Sequence, residues 1–280
     1  MAEASSADKR QIVSLTGAAG RLGSTLRKSL SAGNHILRSC DLQPMQPLYP
    51  GEEVLSGDLA SATDVAQMVK GADVVVHFGG VPEEDEFDKL LTANIIGNYN
   101  IFQQSLEAGV RRVIFASSNH ATGYHPSGNT LDALSVPLPD TLYGVSKVYG
   151  EALGALYAKK YGMEVVCLRI GACWPKPRGD LRDLAVWLSH ADLTRLVDAC
   201  IDAPAFEFEI LYGVSNNDRK WWDNTHSSIK YRPQDNSESY ASELLPQLTS
   251  PSDAANPALR YQGGAFAADG YIAKVGGPKQ

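Results

Sequence analysis

Residues 12–23, Ile12-Val13-Ser14-Leu15-Thr16-Gly17-Ala18-Ala19-Gly20-Arg21-Leu22-Gly23, join an apolar run to glycines spaced three apart. The run Ile12–Leu15 reads as a strand, the glycines as a tight turn, and the residues beyond as a helix. Glycines at that spacing let backbone approach a pyrophosphate where side chains would block it. The helix that follows aims its N–H groups and the positive end of its dipole at the anion. The stretch predicts an α/β, Rossmann-type fold that opens on a dinucleotide site; a glycine-rich turn without a ligand is the competing reading.

An acidic residue farther on favours the first. His35–Cys40 reads as a second strand, ended by Asp41, about 20 residues past the turn, where a carboxylate binds the adenosine ribose hydroxyls. A carboxylate there repels the extra phosphate of NADP, so NAD is the expected cofactor. Arg38 on the same strand is expected to face outward, and weakens that preference only if it turns toward the ribose.

Strand and helix patterns then alternate. Glu53–Leu55, Asp73–Phe78, Arg112–Ser117, Glu164–Arg169 and Glu207–Tyr212 read as strands. Ala62–Lys70, Phe87–Ala108, Leu142–Tyr161 and His190–Ile201 read as helices. Alternation of this kind predicts a doubly wound parallel sheet with helices on both faces and ligands at the carboxyl ends of the strands. Past Ile170 the pattern loosens, and Trp174-Pro175-Lys176-Pro177 breaks regular structure. A single Rossmann-type domain over 1–280 is expected, with a small C-terminal substrate cap formed by segments about 171–190 and 213–270. The last few residues are expected to fray.

The chain has 280 residues, 44% of them hydrophobic, and a formal net charge of −7. That suffices for one large core and argues against generic nucleic-acid or anionic-membrane binding. No apolar run approaches a membrane span, and Met1–Arg10 is polar, with no apolar signal core. Cys40, Cys167, Cys173 and Cys200 show no CxxC or zinc spacing. They read as reduced cysteines of a cytoplasmic enzyme, with no metal. A homo-oligomer is expected.

Tyr143-Gly144-Val145-Ser146-Lys147 opens the helix after the fifth strand and puts Tyr143 and Lys147 on one helical face. The ammonium, with an oxidised nicotinamide, is expected to lower the phenol's pKa, so that Tyr143 takes a proton from a substrate hydroxyl as hydride leaves the same carbon. Ser118, at the end of a strand, is placed to hold the substrate oxygen.

The glycine turn, Ser118 and Tyr143-x-x-x-Lys147 resemble the short-chain dehydrogenase/reductase family of the extended, epimerase-like kind. Phe115–Tyr124, Leu142–Lys147, Arg169-Ile170-Gly171, Trp187–His190 and Trp221–His226 narrow the resemblance to the uronate dehydrogenase family, over nearly the whole chain. That resemblance implies NAD-dependent oxidation of the C1 hydroxyl of an acidic sugar to the lactone. Tyr143 is then the base, Lys147 its helper on the nicotinamide ribose, and Ser118 the group orienting the C1 oxygen. Asn119 and His120 line the sugar site, although closing the strand end would also account for them. Arg182 pairs with the uronate carboxylate. Gly17, Gly20, Arg21, Leu22, Gly23, Asp41, Asp58, Leu59, Phe78, Gly79, Gly80, Asn94 and Ile170 line the cofactor. Asp58 matches an adenine-contacting aspartate, with a loop cap as the competing reading, and Asn94 has a structural role. Trp221 and Trp222 are read as packing residues, and His35 and His77 as satisfied strand histidines.

Two positions depart from the family. Pro82 and Ala172 stand where it has substrate-binding serines, while Arg21 replaces a glutamine and Arg178 adds a cation near Arg182. Lost hydroxyls and gained cations keep a C6 sulfo- or phospho-sugar open as the substrate. A nucleotide-sugar epimerase or dehydratase and a non-enzymatic NAD(H) sensor are the other readings. The short C-terminal region argues against the former, the intact Ser118, Tyr143 and Lys147 against the latter.

Overall fold

The computed structural model describes residues 10–33, 35–247 and 256–272. Most of the N-terminal stretch read as lacking a signal core, residues 248–255 of the expected cap and the terminal residues expected to fray lie outside the described residues.

The apolar runs form one parallel sheet of seven strands. Its order is β3 (Glu53–Ser56), β2 (His35–Asp41), β1 (Gln11–Thr16), β4 (Val74–His77), β5 (Arg112–Ser118), β6 (Glu164–Ile170) and β9 (Phe208–Gly213). Helices α1 (Arg21–Leu30), α2 (Ala62–Val69), α4 (Gly97–Glu107), α5 (Leu142–Tyr161) and α7 (His190–Ile201) run between the strands. The chain winds outward from β1 to β3, then returns to lay β4 on the other side of β1. That reversal opens a crevice at the carboxyl ends of β1 and β4, where the glycine turn and Phe78-Gly79-Gly80 emerge. Every residue of β4 and β5 is buried, because helices cover both faces.

Phe87–Ala108 departs from a uniform helix. It comprises α3 (Phe87–Leu90), a π-helical turn over Leu91–Ile96, then α4. The widened turn buries Asn94, which is 1% exposed. Beyond Ile170, two-residue strands β7 (Ala172–Cys173) and β8 (Trp187–Leu188) pair in parallel around α6 (Leu181–Val186). Trp222 packs face to face on Tyr212, with ring centroids 4.8 Å apart.

His77 sits inside the sheet between Thr16 Oγ1, 2.7 Å from Nδ1, and Asn98 Oδ1, 2.9 Å from Nε2. His35 differs from its reading, since its Nε2 is buried without a partner. Burial pushes His77 down to about 4, so it folds neutral. The unfolded chain takes up a proton below about 6.5. Stability should therefore fall as pH drops from about 6.5 to about 4, by on the order of 3 kcal/mol from this residue. Denaturant midpoints at pH 7 and pH 4.5 check this: H77Q should show a flatter dependence than wild type.

Candidate active site

At the cofactor end, Gly17 has φ +70°, and a Cβ there would lie 2.6 Å from the carbonyl oxygen of Phe78. A Cβ on Gly23 would lie 2.0 Å from the Gly17 oxygen. The turn is thus pressed between the end of β4 and the first turn of α1, and only glycine fits. A Cβ on Gly20 would meet only the Gly17 oxygen, at 3.1 Å. Helices α2, α5 and α7 begin at Ser61, Thr141 and Ser189, whose hydroxyls accept the N-terminal amides; α1 begins at Gly20 without a side-chain cap. Uncapped amides at a helix end fronted by a glycine cradle fit a pyrophosphate.

Asp41 lies against this turn. Its Oδ2 accepts from Ala19 N at 2.9 Å and its Oδ1 from Gln43 N at 2.9 Å. Asp58 caps its own loop through Ala60 N at 2.9 Å, and Leu59 packs beneath Gly79 and Gly97. Arg38 corrects its reading. It is 9% exposed and points inward, donating to Glu53 at 2.7 Å and to the carbonyls of Met68 and Lys70 at 3.2 and 2.7 Å. It closes the carboxyl end of α2 and has no freedom to turn to a ribose.

Tyr143 and Lys147 lie one turn apart on α5, each 7% exposed. Lys147 Nζ donates to Ala116 O at 2.9 Å and stands 5.3 Å from the Tyr143 ring centre. Ser118, at the end of β5, accepts from His120 N at 3.2 Å, and its hydroxyl favours the Tyr143 phenolate against the effect of burial. Burial pushes Tyr143 up to about 12 and Lys147 down to about 8. Desolvation dominates the phenol, with Ser118 and Arg21 pulling the other way, while the nicotinamide charge on which the expected lowering also rests belongs to the bound cofactor.

Two further groups fix this pair. Glu84, from the loop after β4, accepts from Tyr143 N at 2.7 Å and Leu142 N at 3.3 Å. Asn94 bonds Val81 N at 2.8 Å, Val81 O at 3.1 Å and Ser146 Oγ at 3.0 Å. Its amide is spent on stapling the Gly80 loop to α5, the structural role read for it.

At the substrate end, Asn119 is 3% exposed. Its Oδ1 accepts from Arg182 Nη2 at 2.7 Å and its Nδ2 donates to Ile170 O at 3.0 Å. Arg182 also donates through Nε to Gln262 O at 2.5 Å. Its side chain is 14% exposed, and its closest carboxylate, Asp183, stands 4.0 Å away. Burial lowers its pKa. Arg178 is instead largely open to solvent, 61% exposed. Its guanidinium and that of Arg21 lie over the Trp174 ring at 4.2 and 3.8 Å, and Arg21 donates to Cys173 O. The Arg178 charge acts to lower both Arg21 and Arg182, secondary in each to burial. Ala172 is 8% exposed, and Pro82 lies on the exposed loop.

Within the cap segment expected over about 213–270, the sequence reading singled out neither Gln262 nor Phe266 of the C-terminal wall. Gln262 Nε2 donates to Asn129 O at 2.8 Å, Gln262 Oε1 accepts from Trp222 Nε1 at 2.7 Å, and Phe266 stacks on His120 at 4.2 Å. Among the described residues, no cluster of three His, Cys, Asp or Glu could hold a metal ion, and no helix is long and apolar enough to cross a membrane.

Known proteins match this arrangement. The NAD dependent epimerase/dehydratase family matches residues 13–174. Uronate dehydrogenase of Pseudomonas syringae pv. tomato is 44% identical over 91% of this chain and 93% of that protein. The crystal structure of a mutant uronate dehydrogenase from Agrobacterium tumefaciens complexed with NAD superposes with a TM-score of 0.86 at 40% identity, covering 92% of this chain and 97% of that one. NAD-dependent glucose-6-phosphate dehydrogenase of Haloferax volcanii is 35% identical over 84% of this chain and 98% of that protein.

Proposed function

The chain belongs to the NAD dependent epimerase/dehydratase family, and from that premise we propose that it is an NAD-dependent sugar dehydrogenase. It oxidises the C1 hydroxyl of an acidic, uronate-like aldopyranose to the lactone. The observation that carries this reading is the buried Tyr143, with Lys147 one turn along α5, and Ser118 and Asn119 adjacent at the end of β5, where Asn119 holds Arg182.

NAD, when bound, supplies the hydride acceptor and a positive charge beside the phenol. The chain's residues do the rest. Ser118 holds the C1 oxygen, and Tyr143 takes its proton. Lys147, anchored on Ala116 O, keeps a positive charge behind the phenolate. Arg182 meets the carboxylate of the sugar in two-donor geometry. Segments about 171–190 and 213–270 act as the substrate cap on a single Rossmann-type domain. Assembly into a cytoplasmic homo-oligomer belongs to the same reading; exposed apolar residues on neighbouring α4 and α5, among them Tyr99 and Val145, support the oligomer.

Asp41 sets the cofactor. With Arg38 committed elsewhere, NAD should exceed NADP at least tenfold in kcat/KM, because a carboxylate facing the 2′-phosphate costs more than ~1.4 kcal/mol. Steady-state kinetics with both cofactors check this, and equal use would place Asp41 away from the ribose.

A second substrate, a C6 phospho- or sulfo-sugar, is favoured by Pro82, Ala172 and the stacking of Arg21 and Arg178 on Trp174. NADH formation from uronates, 6-phospho-sugars, 6-sulfo-sugars and neutral sugars decides between them. No NADH from any of these would refute the dehydrogenase reading.

A further inference from the structure

The His120–Asp140 pair beside Tyr143 has no part in the proton transfer described above. His120 Nδ1 lies 2.8 Å from Asp140 Oδ2, with side chains 12% and 0% exposed. The imidazole is clamped: its face stacks on Phe266 at 4.2 Å, and the Tyr143 ring stands edge-on at 6.0 Å. It cannot turn its other nitrogen to the carboxylate without losing the stack. Asp140 is equally fixed. Its Oδ1 accepts from Thr141 Oγ1 at 3.3 Å. Its Oδ2 fills a slot between the chain at Gly123 and the C-terminal wall at Gly263. A Cβ on either glycine would come within 1.9 or 1.7 Å of that oxygen. Gly263 N donates to Gly123 O at 2.8 Å across the same slot.

A carboxylate only accepts hydrogen bonds, so the neutral imidazole must carry its proton on Nδ1. Nε2 is left with its lone pair. Among the described residues Nε2 bonds no protein group, and it is not among the buried unpartnered atoms. We propose that Asp140 is a positioning residue that fixes His120 as a hydrogen-bond acceptor for one ring hydroxyl of the sugar. The inference rests on the sugar standing beside Tyr143 as proposed above. It adds a polarity: at this point the site reads a donor, so a substrate with an acceptor there, such as a keto group, is rejected. The same carboxylate seats the C-terminal wall, so acceptor orientation and wall docking share one residue.

The test has two parts. In ¹⁵N-histidine-labelled enzyme at pH 9, where histidine side chains are neutral, the His120 signals, assigned by their loss in H120Q, should show the Nδ1–H tautomer. The Nε2–H tautomer in wild type overturns the proposal. This measurement needs neither turnover nor a folded Asp140 variant, so it stands apart from any failure of the dehydrogenase reading. In D140N, the carboxamide can donate to Nδ1 and put the proton on Nε2. The KM for the sugar should then rise about tenfold, the scale of one hydrogen bond. NAD affinity should stay unchanged. Among 2-, 3- and 4-deoxy uronates, one should cost wild type about the same factor and show no further loss in D140N. An unchanged sugar KM in D140N, or losses that multiply for every deoxy sugar, also overturns it.

Discussion

Tyr143→Phe is expected to lower kcat at least 10²-fold while leaving NAD affinity nearly unchanged, the usual scale for a lost general base. The argument is one of burial. At 7% exposure the phenol has lost the water that would stabilise its anion, and burial pushes it up to about 12. Lys147 stands 5.3 Å from the ring centre with its Nζ held on Ala116 O, and its own burial brings it down to about 8. The positive charge that NAD would bring when bound favours the phenolate that burial disfavours. Removing the hydroxyl removes the proton acceptor without disturbing the glycine cradle. Since the base acts deprotonated, sugar oxidation by wild type should rise with pH, and the phenylalanine variant should lose that rise. Stopped-flow NADH formation with separately measured NAD binding checks both. Turnover near wild type would remove Tyr143 from the mechanism.

Local chemistry made much of this legible in the sequence. The glycine turn, the strand ends at Asp41 and Ser118 and the start of α5 at Leu142 are set by residues within a few positions of one another, and each lies where the spacing puts it. Arg38 was misread because strand alternation assumes one solvated face; β2 is covered on both, so a buried arginine closes a helix end there. The π-helical turn at Asn94 hides within a helical pattern, because widening a turn by one residue leaves the apolar periodicity nearly intact. The small sheet of β7 and β8 is two residues wide, too short for any period. The C-terminal wall joins Gln262 to Pro126, Asn129, Trp222 and Arg182. Those contacts span 40 to 136 positions, and nothing local encodes them.

Arg182→Ala should raise KM for an acidic sugar by roughly 10- to 150-fold, since a charge-assisted contact contributes ~1.5–3 kcal/mol. Any neutral-sugar activity should stay almost unchanged. Burial separates Arg182 from Arg178 as the expected anion partner. Arg178 keeps most of its surface in water, where an ion pair gains little. Arg182 is largely desolvated, and its held contacts are neutral acceptors, Gln262 O and Asn119 Oδ1; its closest carboxylate stands at 4.0 Å. A cation so placed gains most from an incoming anion, because the cost of burying it falls on the free enzyme. Arg178→Ala should accordingly cost a uronate less than threefold. For a phosphate or sulfonate, whose extra oxygens reach farther toward the Trp174 stack, it should cost more. Two outcomes would break this account. Glucose or galactose oxidised as well as every acidic analogue would make Arg182 a packing residue of the wall. An R178A loss as large as that of R182A on a uronate would move the anion out of the buried pocket and onto Trp174.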